Sequence, residues 1–516
     1  MTNLTKNKTI NTNFIYLFIL FLYSFFINIY YANLGSFPID TFLHYDSSSR
    51  ILKGDTPIKD YWIISGLIVD LIQSFFFKIF GINWYAYTIH SSLFNAVTTI
   101  IVYFFFLNLQ LNQFKAVIFS ICFSTLSYTV SGTPFVDMHA TLFLLISTLF
   151  IIQNLKVNKY HIWSMAIFLM FMSFFSKQVP AAYAAVVYSI ILGIYFFYKK
   201  KYKEIIINLS IIFIILILIY FLIIFFKLDF KNFYIQLIDY PRSIGSNRLI
   251  NFDITLISFF NKFKFLVIPL CILLFLKIKR NNSLETKIGS LIFVIFTIII
   301  IFHQLMTKNQ VYIYFLIPII LGFLELEIQS SKIKYKKYFS FLLILILAFV
   351  TIKYHLRFNE NRKFHELTKT QLKQSIKAEK IHKSLKGLYW KNPYYDGSAL
   401  DEIKILKKAI ELINSSNSDE IMLITHYQFL DSITKKKLNY PNRTFTEDGV
   451  SMPLKNNKYF YFYKDFFKRK IYELNIKKIF FFKHENISNE VLTNYFNSDC
   501  LNSNENEIFY IFNIKC

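Results

Sequence analysis

The sequence predicts a polytopic α-helical membrane protein of about eleven transmembrane helices followed by a C-terminal soluble α/β domain. Three observations predict it: eleven long apolar stretches, basic clusters on alternate connections between them, and about 160 residues of mixed composition after the last stretch. Of 516 residues, 54% are hydrophobic and 19% aromatic, with a mean hydropathy of +0.40, far more apolar than a soluble enzyme of this length. The formal charge of +25 falls largely in short clusters beside apolar segments and in the polar tail. That is the pattern of topology signals and anionic headgroups, and it argues against a nucleic-acid partner.

The predicted spans are residues 14–33, 84–107, 115–132, 138–155, 160–176, 180–198, 205–226, 263–279, 287–304, 310–327 and 338–354. Each approaches the roughly 20 residues needed to cross about 30 Å of hydrocarbon. Lys6 and Lys8 precede the first span, and Lys115, Lys156 with Lys159, Lys199 to Lys203, Lys277 to Lys287 and Lys332 to Lys337 mark alternate connections. The positive-inside rule makes these cytoplasmic, so an odd number of spans puts the tail outside. The expected location is a bacterial cytoplasmic membrane, with the N-terminus inside and the first span kept as an anchor. Residues 62–80 are also apolar, but Asp70, Gln73, Ser74 and Lys78 recur on one helical face. That segment reads as a helix lying in the interface rather than a crossing.

The chain thus divides into a membrane domain, 1–354, with a first outer loop at 34–83, and an extracytoplasmic domain, 355–516. Two other connections, 227–262 and the start of the tail, are also outer and polar. In the tail the pattern predicts a helix at 400–414, a strand at EIMLIT, helices near 427–436 and 461–474, and a strand at KKIFFFK. Cys122 and Cys271 fall within spans and read as inert packing residues. Cys500 and Cys516 lie in the tail, where an outer compartment permits a disulfide; two free thiols are the alternative.

The first outer loop carries the strongest chemical signal. Asp40, His44, Asp46, Arg50, Asp55, Lys59 and Asp60 cluster at one membrane face. An acid at the lip of an apolar cavity has its charged form disfavoured, which raises its pKa toward that of a useful general base.

The order of features here resembles the GT-C glycosyltransferases that use polyprenyl-phosphate sugars, the group of protein O-mannosyltransferases and aminoarabinose transferases. A cytoplasmic N-terminus and one span lead to an acid early in the outer loop. A Gly-Asp-x-Pro element follows about fourteen residues later, then a Trp-containing segment and a Phe-Gly before the next span. The family's Asp-Glu opening appears as Asp40-Thr41, so the resemblance implies Asp40 or Asp46 as the catalytic acid. GTPFVDMHATLF resembles the family's Thr-Pro-x-Asp segment and offers Asp137; FFSKQVPA resembles its basic turn before a Pro-led helix and offers Lys177. FHQLMTKNQVYIYFLIPI resembles its late outer loop. The resemblance covers roughly residues 14–327 and implies direct, inverting transfer from a polyprenyl-phosphate-linked sugar to a glycan, lipid or protein hydroxyl.

Other readings stand beside these. Asp40 or Asp46 as a helix cap and Lys177 as a snorkelling anchor are the bland alternatives. Asp137 and His139, two positions apart, do not share a helix face. No certain cofactor is expected; a divalent metal on Asp40, His44, Asp137 and His139 requires their loops to converge. Lys59, Arg242, Arg248 and Lys308 are candidates for the lipid phosphate, because outer basic residues run against the positive-inside bias. His90 and His303 read as packed or interfacial. Walker, Rossmann and nucleophile-elbow motifs are missing from the sequence. The competing functions are a lipid-linked sugar flippase or other transporter, and a non-catalytic envelope polysaccharide assembly protein.

Overall fold

The structure is a computed structural model that describes residues 2–515 except 129–130, 251–254, 280–282, 308–312, 332–333, 362–371, 394, 417–419, 447 and 485–487. Before the tail the helices are α1 (Thr2–Ala32), α2 (Pro38–Thr41), α3 (Leu43–Leu52), α4 (Leu67–Phe80), α5 (Trp84–Asn108) and α6 (Gln113–Leu126). They continue with α7 (Val136–Val157), α8 (Tyr160–Ser176), α9 (Gln178–Tyr198), α10 (Tyr202–Phe225), α11 (Phe230–Tyr234) and α12 (Tyr240–Ile250). The last four are α13 (Leu256–Lys279), α14 (Leu284–Met306), α15 (Leu316–Ser330) and α16 (Lys336–Tyr354).

Among the described residues eight helices are long and apolar enough to cross a membrane: α5, α7, α9, α10, α14, and the apolar runs Phe14–Ala32, Leu256–Ile278 and Lys336–Asn359. The expected third, fifth and tenth spans are the shorter helices α6, α8 and α15. Local chemistry sets several ends. Asn112 caps α6 through Phe114 N and Lys115 N, Ser283 caps α14 through Thr286 N, and Asn158 ends α7 in the left-handed region. Lys177 and Val179 are extended, so α8 stops and the helical run of α9 restarts at its proline.

The chain forms two compact units: residues 1–32, 88–219 and 251–369, and residues 33–87, 220–250 and 370–516. The first loop therefore belongs to the same unit as the tail, which the linear division at 354 does not express.

In the first unit, α7 pairs with α8, α14 packs on α7 and α9, and α15 packs on α13, α6 and α16. The core is Phe, Leu and Ile, and the outer faces of α10 and α13 are exposed apolar residues, as hydrocarbon solvent requires. Cys122 is buried in this core, whereas Cys271, expected to pack, is exposed on the outer face of α13. The basic clusters share one end of the unit. There Lys115 meets Glu325 at 2.5 Å, Lys277 meets Glu327 at 2.5 Å, Lys199 meets Glu285 at 3.1 Å, and Asn158 donates to Glu204 at 2.9 Å. Near the other end Asn28 Nδ2 donates to Ser91 Oγ, Ser92 Oγ and Gly132 O at 3.0–3.2 Å, joining α1, α5 and the turn before α7. Such bonds substitute for the hydrophobic drive that lipid removes.

The second unit is a mixed sheet with helices. Its tail helices are α17 (Ala399–Ser415), α18 (Leu430–Ile433) and α19 (Phe460–Glu473). Its strands are β1 (Ile376–Lys377), β2 (Tyr389–Trp390), β3 (Ile421–Ile424), β4 (Lys478–Phe482), β5 (Leu501–Glu505) and β6 (Phe509–Ile514). The four-stranded sheet has the order β3-β4-β6-β5; β3 and β4 are parallel, so a crossover must join them, and it contains α18 and α19. The helix expected at 427–436 shrinks to four residues, and β5 and β6 form an unexpected antiparallel pair. Phe42, Trp62, Trp84, Tyr240, Trp390 and Phe429 share the core. Helix α4 is the expected interfacial segment turned around: Asp70 and Gln73 are fully buried, while Leu71, Phe75, Ile79 and Phe80 are 43–59% exposed.

Gly132 sits at φ +71°, and a Cβ there would lie 2.3 Å from Ala32 N. Gly132→Ala is expected to lower the apparent unfolding temperature of the detergent-solubilised chain by several degrees, whereas Gly245→Ala, at a position with open space, should leave it unchanged.

Candidate functional site

Two polar constellations stand out, one in each unit. In the second unit, α3 places His44 and Asp46 inward, and α4 places Asp70 opposite them. Arg443, 5% exposed, donates from Nε to Ser47 Oγ at 2.8 Å, from Nη1 to Ser65 O at 2.5 Å, and from Nη2 to both Asp70 oxygens at 2.8 and 2.9 Å. His44 Nδ1 lies 2.6 Å from Asp70 Oδ1 and 2.8 Å from Arg443 Nη2. Burial, and then the guanidinium, push His44 well below the ordinary histidine range, so the ring is neutral. With Asp70 ionised, the Nδ1 proton goes to Asp70, and buried Nε2 is a bare acceptor with no partner among the described residues.

Beside it, Asp46 is fully buried and accepts from Tyr440 Oη at 2.6 Å. Arg50 lies between the rings of Tyr61 and Tyr440, at 4.0 and 4.5 Å, and donates to Asp55 at 3.0 Å. Burial, then the charge of Asp431, raise Asp46 to about 7 against the pull of Arg50, while burial raises Asp70 to about 7 against Arg443. Burial also acts on Asp55, but Arg50 and Lys437 outweigh it and hold that carboxyl below its usual range. Asp40, by contrast, is half-buried, lies in the short α2, and adds negative charge next to His44.

In the first unit, Asp137 opens α7 and receives Lys177 Nζ at 2.6 Å and His303 Nε2 at 2.9 Å on one oxygen. Lys177 is therefore an ion-pair partner from the α8–α9 break rather than a snorkelling anchor. His139 points elsewhere: its Nε2 is 3.0 Å from His90 Nε2, and its Nδ1 is 2.8 Å from Tyr128 Oη. Tyr128 Oη also accepts the Phe135 N–H at 2.6 Å, and His139 Nδ1 lies 3.3 Å from Phe135 O. His90 and His303, expected as packed or interfacial, thus belong to hydrogen-bonded clusters.

The remaining candidates are not drawn into either constellation. Lys59 and Arg242 are exposed on the second unit, Arg248 is half-buried on α12, and Lys308 lies outside the described residues. Cys500 is disulfide-bonded; Cys516 lies outside the described residues. Among the described residues no group of three His, Cys, Asp or Glu side chains could hold a metal ion. Sequence reasoning missed Arg443 and misread Asp70. The helical spacing of Asp70 with Gln73 and Ser74 was the available signal for Asp70, and nothing marked Arg443. Comparison with known proteins finds no matching family model and no matching curated protein.

Between pH about 4 and 7 the folded chain keeps a proton on Asp46 that the unfolded chain releases, so this group makes stability fall as pH rises through that window. Asp46→Asn keeps an acceptor for Tyr440 and should flatten the decline in apparent unfolding temperature between pH 5 and 8. An unchanged slope would exclude Asp46 as its source. Arg443→Ala strands a buried carboxylate and should cost about 3–5 kcal/mol, measured as denaturant resistance of the solubilised chain.

Proposed function

We propose that this chain is an integral-membrane glycosyltransferase of the GT-C type. It moves a sugar from a polyprenyl-phosphate donor to an acceptor hydroxyl at the outer face of the bacterial cytoplasmic membrane. The observation that carries the reading is the Asp137, Lys177 and His303 constellation. Three helix ends bring ionisable groups together at the end of the first unit opposite its basic clusters, and such groups are too costly in a membrane to be retained without use. In this reading α6, α8 and α15 also cross, giving eleven spans with the N-terminus inside and the tail outside.

Asp40 is the base in this proposal. Asp46 is sealed inside the second unit and committed to Tyr440, whereas Asp40 keeps access to solvent. Asp40 takes the proton of the acceptor hydroxyl, and the oxygen attacks the anomeric carbon as the bond from that carbon to the phosphate oxygen breaks. Polyprenyl phosphate leaves with the bonding electrons, and a lysine or arginine at the outer face stabilises its charge. His44, anchored on Asp70, positions the segment that carries Asp40.

The test uses the purified full chain in proteoliposomes with a series of polyprenyl-phosphate sugars and host envelope extract as acceptor, reading released polyprenyl phosphate. Asp40→Asn should lower turnover by about 10²–10⁴-fold at unchanged unfolding temperature, the range of a lost general base. Full turnover by Asp40→Asn would remove Asp40 from that role. Passage of intact donor across the bilayer without cleavage would instead identify a flippase, and binding of glycan with neither would identify an assembly protein.

A further inference from the structure

The end of the first unit that carries the basic clusters holds a cavity of about 240 Å³ that no step above uses. Its walls are apolar: Ile152 of α7, Leu273 of α13, Phe293 of α14 and Phe323 of α15. Its polar rim is Lys156, Lys277, Glu285, Thr286, Ser290 and Glu327. Asp137 opens α7 and Lys156 lies in its last turn, so the cavity is roughly 25–30 Å along that helix from the Asp137 constellation.

The rim has a charge balance that selects a ligand. Glu327 is matched by Lys277 at 2.5 Å, and Glu285 by Lys199 at 3.1 Å. Lys156 remains as an exposed cation in the last turn of α7, giving the rim and its partners one surplus positive charge. Ser290 Oγ donates to Thr286 O at 2.9 Å and Thr286 Oγ1 pairs with Ser283 Oγ at 3.0 Å, so the charge at the rim rests on lysine. An apolar chamber with one surplus cation at its rim suits a molecule with a hydrocarbon body and a phosphate head. The neighbouring outer faces of α13 and α14 expose Phe275, Ile278 and Leu291, a surface along which such a hydrocarbon chain can lie.

We infer that this cavity binds the head of a phosphate-bearing lipid of net negative charge, with Lys156 as the main contact to the phosphate. The positive-inside rule assigns this end to the cytoplasmic leaflet, so the site is separate from the proposed sugar-transfer chemistry and stands or falls independently of it. Two membrane lipids share the chemistry, a phospholipid with its phosphodiester and a polyprenyl phosphate with its monoester.

The experiment counts lipids retained by the detergent-purified full chain in native mass spectrometry during titration with phosphatidylglycerol, undecaprenyl phosphate, phosphatidylcholine or inorganic phosphate. The wild-type chain should hold one phosphatidylglycerol or undecaprenyl phosphate, the tighter of the two naming the source. Lys156→Gln should weaken that binding about ten-fold or more, the scale of a charge-assisted hydrogen bond. Lys200→Gln, exposed in a basic cluster but outside the cavity, should leave it unchanged. Equal weakening by both substitutions would overturn the inference in favour of diffuse surface attraction. Phosphatidylcholine binding as tightly as phosphatidylglycerol, or inorganic phosphate binding as tightly as either lipid, would also overturn it.

Discussion

A guanidinium cannot release its proton, so a buried arginine must be given acceptors, and the second unit is arranged around that demand. Arg443 is 5% exposed and spends its donors on Ser47, Ser65 and both oxygens of Asp70. Those partners come from α3, the turn before α4, and α4 itself, while the arginine comes from a part of the chain more than 370 residues later. The tail therefore completes the first loop instead of standing apart from it. Backbone bonds on either side reinforce this, from Trp62 N to Pro441 O at 2.9 Å and from Arg443 N to Trp62 O at 3.2 Å.

The same demand explains the orientation of α4. A polar stripe on a short amphipathic helix ordinarily faces water. Here Asp70 is needed inside as the counter-charge, so Leu71, Phe75 and Ile79 are left on the outside. An outward apolar face suits a helix resting on a bilayer, with protein rather than water satisfying its polar side. His44 is held by the same carboxylate, and its loss of charge follows from burial beside a permanent cation.

In the first unit the constraint is lipid. Ionisable groups there survive by meeting one another, and α7 shows how direction decides which meet. Asp137 and His139 are two residues apart, and the helix turns them to different neighbours, Lys177 with His303 in one direction and His90 with Tyr128 in the other. The turn residues of FFSKQVP matter for the same reason: the extended Lys177 between α8 and α9 lets its side chain reach the first turn of α7.

Local chemistry made much of the architecture legible from residues alone. Continuous apolar runs announced the long helices, and EIMLIT and KKIFFFK announced β3 and β4, because burial on both faces writes an unbroken hydrophobic string. The edge strand β5, Leu-Asn-Ser-Asn-Glu, has no such string, since all but its first residue are exposed and backbone pairing with β6 alone makes it a strand. The acids of the first loop were visible as a cluster, but their ranking was not, because Asp40 and Asp46 differ in exposure rather than in spacing. By itself the sequence determined the long apolar helices and the inventory of charges, both of which depend on residues near one another in the chain. Only the tertiary structure decided which charges are paired, which acid is sealed beneath Tyr440 and that Arg443 matters, because desolvation and ion pairing depend on neighbours that folding brings from hundreds of residues away.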